Sequence, residues 1–226
     1  MKAYLAVDTA YQVGMVTLFC DGEVVFFRPL REKMAHGKEI CPSIDAAREF
    51  CDNNGYALTA ILVGLGPGSF VGVRIALATC LGYAFARNLP TLGFCSHAAL
   101  AYTAKGRGYD NFYVFMKASG DLGYLTEYAV INGNLQCMVL AEVVSCNDFV
   151  ARAKPWCPVF SDIAEGLAAV NPKAPIIELI GPSHEGVMFA ASAKIAGPFI
   201  NEIGSIRPNY VKAPNTSNPP RALRWR

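Results

Sequence analysis

Four glycines within nine positions, Gly64, Gly66, Gly68 and Gly72, break an otherwise apolar stretch from Ala60 to Leu77, with Pro67 and Ser69 among them. A backbone so built must turn sharply or approach another group closely, because glycine alone tolerates positive φ and offers no Cβ to collide. The aliphatic run Ile61 to Val63 before it fits a buried strand. The proline-free run Val73 to Arg87 after it, rich in Ala, Leu, Ile and Arg, fits a helix. The stretch therefore reads as strand, glycine loop, helix. A helix start offers free N–H groups to an anion, so phosphate binding is one reading of the loop and a purely structural turn is the other. The loop has neither the lysine of a Walker loop nor the G-x-G-x-x-G register of a dinucleotide fold.

The remainder of the chain predicts two similar halves. Tyr4–Val7, Val13–Phe19 and Glu23–Phe27 read as a strand meander, with the hairpin dipeptide Asp21-Gly22 between the last two. Asp8, at the end of the first strand, is the one acid there placed either for a site or for pinning the following turn. Met34–Asn53 has the apolar spacing of a helix, with Pro42 predicting a later start or a kink. Leu92–Phe94 follows as a strand and Ser96–Ala104 as a helix capped by Ser96. The polar run Lys105–Asp110 is the candidate boundary, dividing 1–105 from 106–226. Beyond it a second meander, Asn111–Met116, Gly123–Ile131 and Leu135–Leu140, carries its own hairpin dipeptide Asn132-Gly133. Helices at Ser145–Ala153, Asp162–Val170 and Glu185–Ala196 alternate with short strands at Pro158–Phe160 and Ile176–Ile180. From Pro198 the chain reads as a surface tail, with Arg207–Lys212 its ordered part. A duplicated β-β-β-α-β-α layout is that of the α/β actin-like ATPases, which include the sugar kinases, Hsp70 and actin, with one mixed sheet in each of two lobes.

A hydrophobic content of 53% in 226 residues supports a full core, and a net charge of +2 gives no general argument for a nucleic-acid surface. The tail arginines Arg221, Arg224 and Arg226 read as a solvated terminus, with a nucleic-acid contact as the alternative. Eight cysteines without a C-x-x-C pair read as reduced, buried thiols. The start, MKAYLAVDTA, lacks the pattern of a leader, and no segment is apolar for long enough to span a membrane. A cytoplasmic location is therefore expected.

Four stretches taken together make the comparison specific: LAVDTA at 5–10, HGKEICP at 36–42, GLGPGSFVGVRIALA at 64–78 and RPNYVK at 207–212. In this order the chain resembles the bacterial TsaB family, also called YeaZ, whose signature GPGSFTGVR appears here with Val71 in place of threonine. The resemblance covers residues 1 to about 100 and returns near Pro208-Asn209-Tyr210. It implies a role in making threonylcarbamoyladenosine in tRNA, as a non-catalytic relative of the transferase TsaD. The implied subunit forms a heterodimer with TsaD through its first two long helices, helps recruit the ATPase TsaE and meets tRNA through the complex. A homodimer without the partner stays open, and ATP and metal are expected on the partner subunits. The partner surface so implied takes in Ile40, Ile44, Ala47 and Cys51 on the first helix and Arg74, Leu77, Leu81 and Phe85 on the second. The second helix is apolar on nearly every face, which fits cover by a partner or burial within its own lobe. Asp8, Gly66, Gly68 and Ser69 would line a vestigial nucleotide site.

Catalytic and metal residues are not expected. His97 is followed by Ala101 where the transferase has a second metal-binding histidine, so the pair of ligands is missing. His36 and His184 have no ligand-spaced partner. Lys117 and Ser119 stand where many family members carry Asp and Arg. The rival reading is a stand-alone small kinase or hydrolase using the glycine loop, with Ser69 as its serine.

Overall fold

The computed structural model describes residues 1–30, 36–170, 174–195 and 206–211. The first half runs β1 (Lys2–Asp8), β2 (Gly14–Cys20), β3 (Glu23–Leu30), α1 (His36–Asn54), β4 (Ala57–Gly64), α2 (Phe70–Ala86), β5 (Thr91–Phe94) and α3 (Ser96–Gly106). The second runs β6 (Asn111–Ser119), β7 (Leu122–Ile131), β8 (Asn134–Ser145), α4 (Cys146–Arg152), β9 (Val159–Ser161), α5 (Ala164–Val170), β10 (Ile176–Glu178) and α6 (His184–Ile195). Each half forms a five-stranded mixed sheet, ordered β3-β2-β1-β4-β5 and β8-β7-β6-β9-β10. The first three strands of each are antiparallel and the last two run parallel to the first. Two sheets of the same order with helices on their faces make the two-lobed actin-like fold that the layout predicts.

The hairpins follow from their dipeptides. Asp21 and Gly22 have φ of 50° and 83°, Asn132 and Gly133 of 51° and 76°, so both central residues of each turn take the positive φ that matches strand twist. Alternation along β1 then sorts the core. Leu5 and Val7 point to a layer under α1 and α2 with Val16, Leu18, Ile61 and Val63. Ala6 points to the opposite layer with Phe19, Leu62 and Phe94, covered by Val187, Met188 and Ala191 of α6. In the second sheet Phe112, Val114 and Met116 meet Leu100, Ala101 and Ala104 of α3, while Phe115 and Val159 meet Phe149 of α4 and Leu167 of α5.

The last helix of the second half thus packs on the sheet of the first. It comes close to α3 at Gly186, where a Cβ would collide with Thr103 Oγ1 and the Ala99 carbonyl. Thr103 Oγ1 meanwhile accepts from Ser183 N–H at 2.9 Å and donates to Ala99 O at 2.8 Å, so the contact leaves none of these groups unpaired.

Several local expectations are corrected. α1 starts at His36 and runs through Pro42 instead of beginning near Cys41. The carbonyl deprived of a donor is that of Lys38, which is exposed near the helix start, and the Ser43 hydroxyl donates to Glu39 O at 2.7 Å beside it. Residues 34–35 of the expected helix lie outside the described residues. α2 begins at Phe70, three residues early, because Ser69 caps it by accepting from Gly72 N–H at 3.1 Å. Ser96 is no cap; Cys95 holds that position in α3. β8 extends past Leu140 to Ser145, pairing with β7 through two register shifts. All eight cysteines are unpaired, with Cys20, Cys51, Cys80 and Cys157 buried but Cys41, Cys95 and Cys137 exposed. Among the described residues no helix is long and apolar enough to cross a membrane.

Candidate functional site

The glycine loop lies against the turn between β1 and β2. Gly66 has φ of 84°, a conformation other residues rarely adopt, and its peptide bond to Pro67 is cis. Its N–H donates to Ser96 Oγ at 3.0 Å and its carbonyl accepts from Ser96 N–H at 3.0 Å, which is why Ser96 is engaged across the sheet end. Ser69 N–H donates to Ala10 O at 2.7 Å, Thr9 Oγ1 to Gly72 O at 2.7 Å, and Tyr11 Oη to Pro67 O at 2.9 Å. The glycines at 64, 68 and 72 permit this closeness. A Cβ on Gly72 or Gly68 would enter the carbonyl oxygen of Thr9 or Ala10, and one on Gly64 would lie 2.5 to 2.7 Å from the Asp8 carboxylate.

Asp8 is fully enclosed. Its Oδ1 accepts from Ala10 N–H at 2.9 Å, and its Oδ2 has no hydrogen-bond partner among the described residues. Burial pushes its pKa up to about 6, against the pull of the Ala10 amide and the Ser96 hydroxyl. A carboxyl whose pKa rises on folding holds its proton more tightly in the native state. Its contribution is therefore fully present below about pH 4 and is lost as pH rises through about 6, of order 3 kcal/mol in all. Urea denaturation from pH 4.5 to 7.5 should show the wild type losing roughly 2 kcal/mol relative to Asp8→Asn across that window. Parallel profiles for the two proteins would show that Asp8 is not the titrating group.

The sequence-derived nucleotide residues do not form one surface. Gly66 and Gly68 line a small cavity closed by Pro208, Asn209 and Tyr210, which holds about 20 Å³. That is room for about one water, against the hundreds of Å³ of a ligand pocket. Asp8 is buried behind Gly64, and the Ser69 hydroxyl is engaged in capping. At the α2 N-terminus the N–H groups of Ser69, Gly72 and Val73 all have protein acceptors. Further along the cleft, Val13 N–H reaches Ile180 O at 3.3 Å, joining the β1–β2 turn to the chain before α6.

His97 is also enclosed, with Nδ1 2.9 Å from Thr126 Oγ1, and burial lowers its pKa to about 3, so it is neutral. Among the described residues no three His, Cys, Asp or Glu side chains gather as a metal-binding group. Lys117 donates its backbone N–H to Asp162 Oδ1 at 2.8 Å, so this strand end is held by Asp162 from the end of β9.

The implied partner surface divides sharply. Ile40, Ile44, Ala47, Cys51 and Leu77 belong to the layer between the helices and the first sheet, and Leu81 is partly buried against it. Their burial has a plain cause: positions 40, 44, 47 and 51 form the apolar stripe of an amphipathic helix, and such a stripe faces the protein's own core. Arg74 and Phe85 lie outside. With Val71, Ala78 and Gly82 they make an exposed stripe down α2, Val71 being 63% and Phe85 78% exposed. Sequence reasoning named Arg74 and Phe85 of this stripe but not Val71, Ala78 or Gly82, because α2 is apolar all round and periodicity does not mark which side faces out.

The described part of the C-terminal tail, 206–211, returns to this face. Ile206 is buried in the first core layer and Asn209 N–H donates to Leu65 O at 2.8 Å. Tyr210 accepts from Arg74 Nε at 2.8 Å. The motif RPNYVK had marked this segment without its contact; Lys212 and the arginines at 221, 224 and 226 lie outside the described residues.

A family model for "TsaD: tRNA N6-adenosine threonylcarbamoyltransferase" matches residues 27–201. The chain is similar to the tRNA threonylcarbamoyladenosine biosynthesis protein TsaB of Haemophilus influenzae, 36% identical over 103 residues, which cover 44% of this chain and 42% of that one. The TsaB of Bacillus subtilis is 29% identical over 153 residues, covering 66% and 65%. The chain thus spans less than half the length of the first of these curated relatives and about two thirds of the other. Among solved structures, a Pseudomonas aeruginosa protein described as similar to peptidase YEAZ superposes with a TM-score of 0.76 at 25% identity, over 94% of this chain and 100% of that one. YeaZ from Pseudomonas aeruginosa does so with a TM-score of 0.71 at 26% identity, over 87% and 93%.

Proposed function

The chain belongs to the TsaB/YeaZ branch of the TsaD-type threonylcarbamoyltransferase family, and from that premise we propose that it works as a non-catalytic partner subunit in making threonylcarbamoyladenosine in tRNA. It docks on a TsaD-type transferase through the outer face of α2, and the pair recruits a TsaE-type ATPase. Nucleotide and metal chemistry belong to those partners, and tRNA is met through the complex.

The exposed stripe Val71, Arg74, Ala78, Gly82 and Phe85 carries this reading. Its spacing of three and four residues keeps it on one side of the helix, with bulky side chains near the ends and the smallest residues between them. A partner helix can therefore come close at Ala78 and Gly82 while Phe85 inserts beside it. The glycine loop supports the same reading in a different way. Its polar groups are used to fasten α2 to the β1–β2 turn, which makes the docking helix rigid, and a rigid surface loses less entropy on association.

Size-exclusion chromatography with light scattering of this protein and the TsaD-type subunit from the same cell, each alone and mixed, tests the proposal. A stable one-to-one complex is the expected result, together with no thermal shift of the isolated chain in millimolar ATP. Absence of a complex under every nucleotide condition, or nucleotide turnover by the chain alone, would overturn it.

A further inference from the structure

Arg74 is the cation in the upper half of the α2 docking stripe, and it is held in place rather than left to wander. Its guanidinium carbon lies 3.7 Å from the centroid of the Phe70 ring and 5.6 Å from that of Tyr210. The two rings are themselves 5.3 Å apart. The Nε–H donates to Tyr210 Oη at 2.8 Å. Tyr210 is positioned in turn by the Asn209 N–H to Leu65 O bond and by Ile206 in the core beneath. An arginine on the second helix is thus oriented by a tyrosine 136 residues further along the chain.

The Nε–H is used, while the outer edge of the guanidinium carries two further nitrogens. Among the described residues no carboxylate lies within ion-pair distance of them. α2 itself contains no Asp or Glu. The geometry points to a fixed fork for a carboxylate: Arg74, ordered by Phe70 and Tyr210, receives an Asp or Glu side chain of the partner subunit, and segment 206–211 forms part of the docking surface. This deepens the partner reading above and rests on it.

Charge and shape select that occupant. A guanidinium plane presents parallel N–H groups that match the two oxygens of a carboxylate. A nucleic-acid backbone would call for several cations along a track. Arg74 is the cation of the α2 stripe and stands among Val71, Phe70, Ala78 and the 43%-exposed Tyr210, the arginine and aromatic composition of a protein interface centre. Stacking also removes rotamer freedom from a long side chain before the partner arrives, so less is lost on binding.

Titration calorimetry with the TsaD-type subunit separates the terms. Arg74→Lys keeps the charge and loses the fork, and should weaken association about tenfold or more. Tyr210→Phe keeps the ring and loses the acceptor, and should weaken it by about threefold to tenfold. Thermal melts of both variants should match the wild type, since both side chains are exposed. Association within twofold of wild type for both variants, with Phe85→Glu still abolishing it, would overturn the carboxylate fork while leaving the docking face intact. Wild-type association of Phe85→Glu as well would instead remove the docking face itself.

Discussion

Gly72→Val is expected to cost a large share of this protein's stability. The Cα of Gly72 rests so close to the Thr9 carbonyl that any Cβ would enter its oxygen, and Ser69 Oγ would lie 3.2 Å away on another side. The nearer obstacle, the Thr9 carbonyl, is backbone and cannot swing aside. α2 would have to shift outward, and the Thr9 Oγ1 to Gly72 O bond at 2.7 Å would go with it. Overpacking of this kind costs about 1 to 3 kcal/mol and sometimes more, and a lost buried hydrogen bond adds about 1. Roughly 4 kcal/mol is a large share of the ~5 to 15 that holds a domain together. The variant should melt about 10 °C or more below the wild type, or fail to accumulate in soluble form. Gly82→Ala is the control in the same helix. A Cβ there meets nothing within 4 Å, so the melt should be unchanged or rise slightly, alanine being the better helix former. Equal melting of Gly72→Val and wild type would show that the close approach of α2 to the β1–β2 turn is not needed.

Phe85→Glu should abolish the complex while leaving the fold alone. Phe85 is 78% exposed on the last turn of α2, so its replacement empties no core space. The loss of an interface aromatic costs about 2 kcal/mol or more, and a carboxylate buried in its place costs more still. Association with the TsaD-type subunit should weaken by at least about a hundredfold, whereas the thermal melt of the isolated chain should stay within a degree or two. Retained association with an unchanged melt would move the docking surface away from this face. Leu77 gives no comparable test: it packs in the core, and a charge there would damage folding and docking together.

What could be read from the residues, and what could not, follows the range over which each interaction acts. Asp21-Gly22 and Asn132-Gly133 specify their hairpins through their own φ values, so both meanders were legible. The duplicated strand and helix order was legible for the same reason, since periodicity is local. The inward stripe of α1 was legible as a stripe but not as core, because periodicity does not say what lies opposite. Ser96 is a favourable cap by type, yet it bonds Gly66 thirty residues away, where the loop leaves a backbone donor to satisfy.

By itself the sequence determined the α/β architecture, the two halves with their shared order and the sharp turn at Gly64 to Gly72, since each depends on backbone preference and on spacing of apolar residues along one segment. Only the tertiary structure decided where those segments meet. It set α6 against the first sheet with Gly186 on α3, laid the glycine loop on Asp8 to Tyr11, and brought Tyr210 to Arg74. Each of these pairs residues far apart in the chain, and such contacts form only where surfaces fit and most buried polar groups find partners.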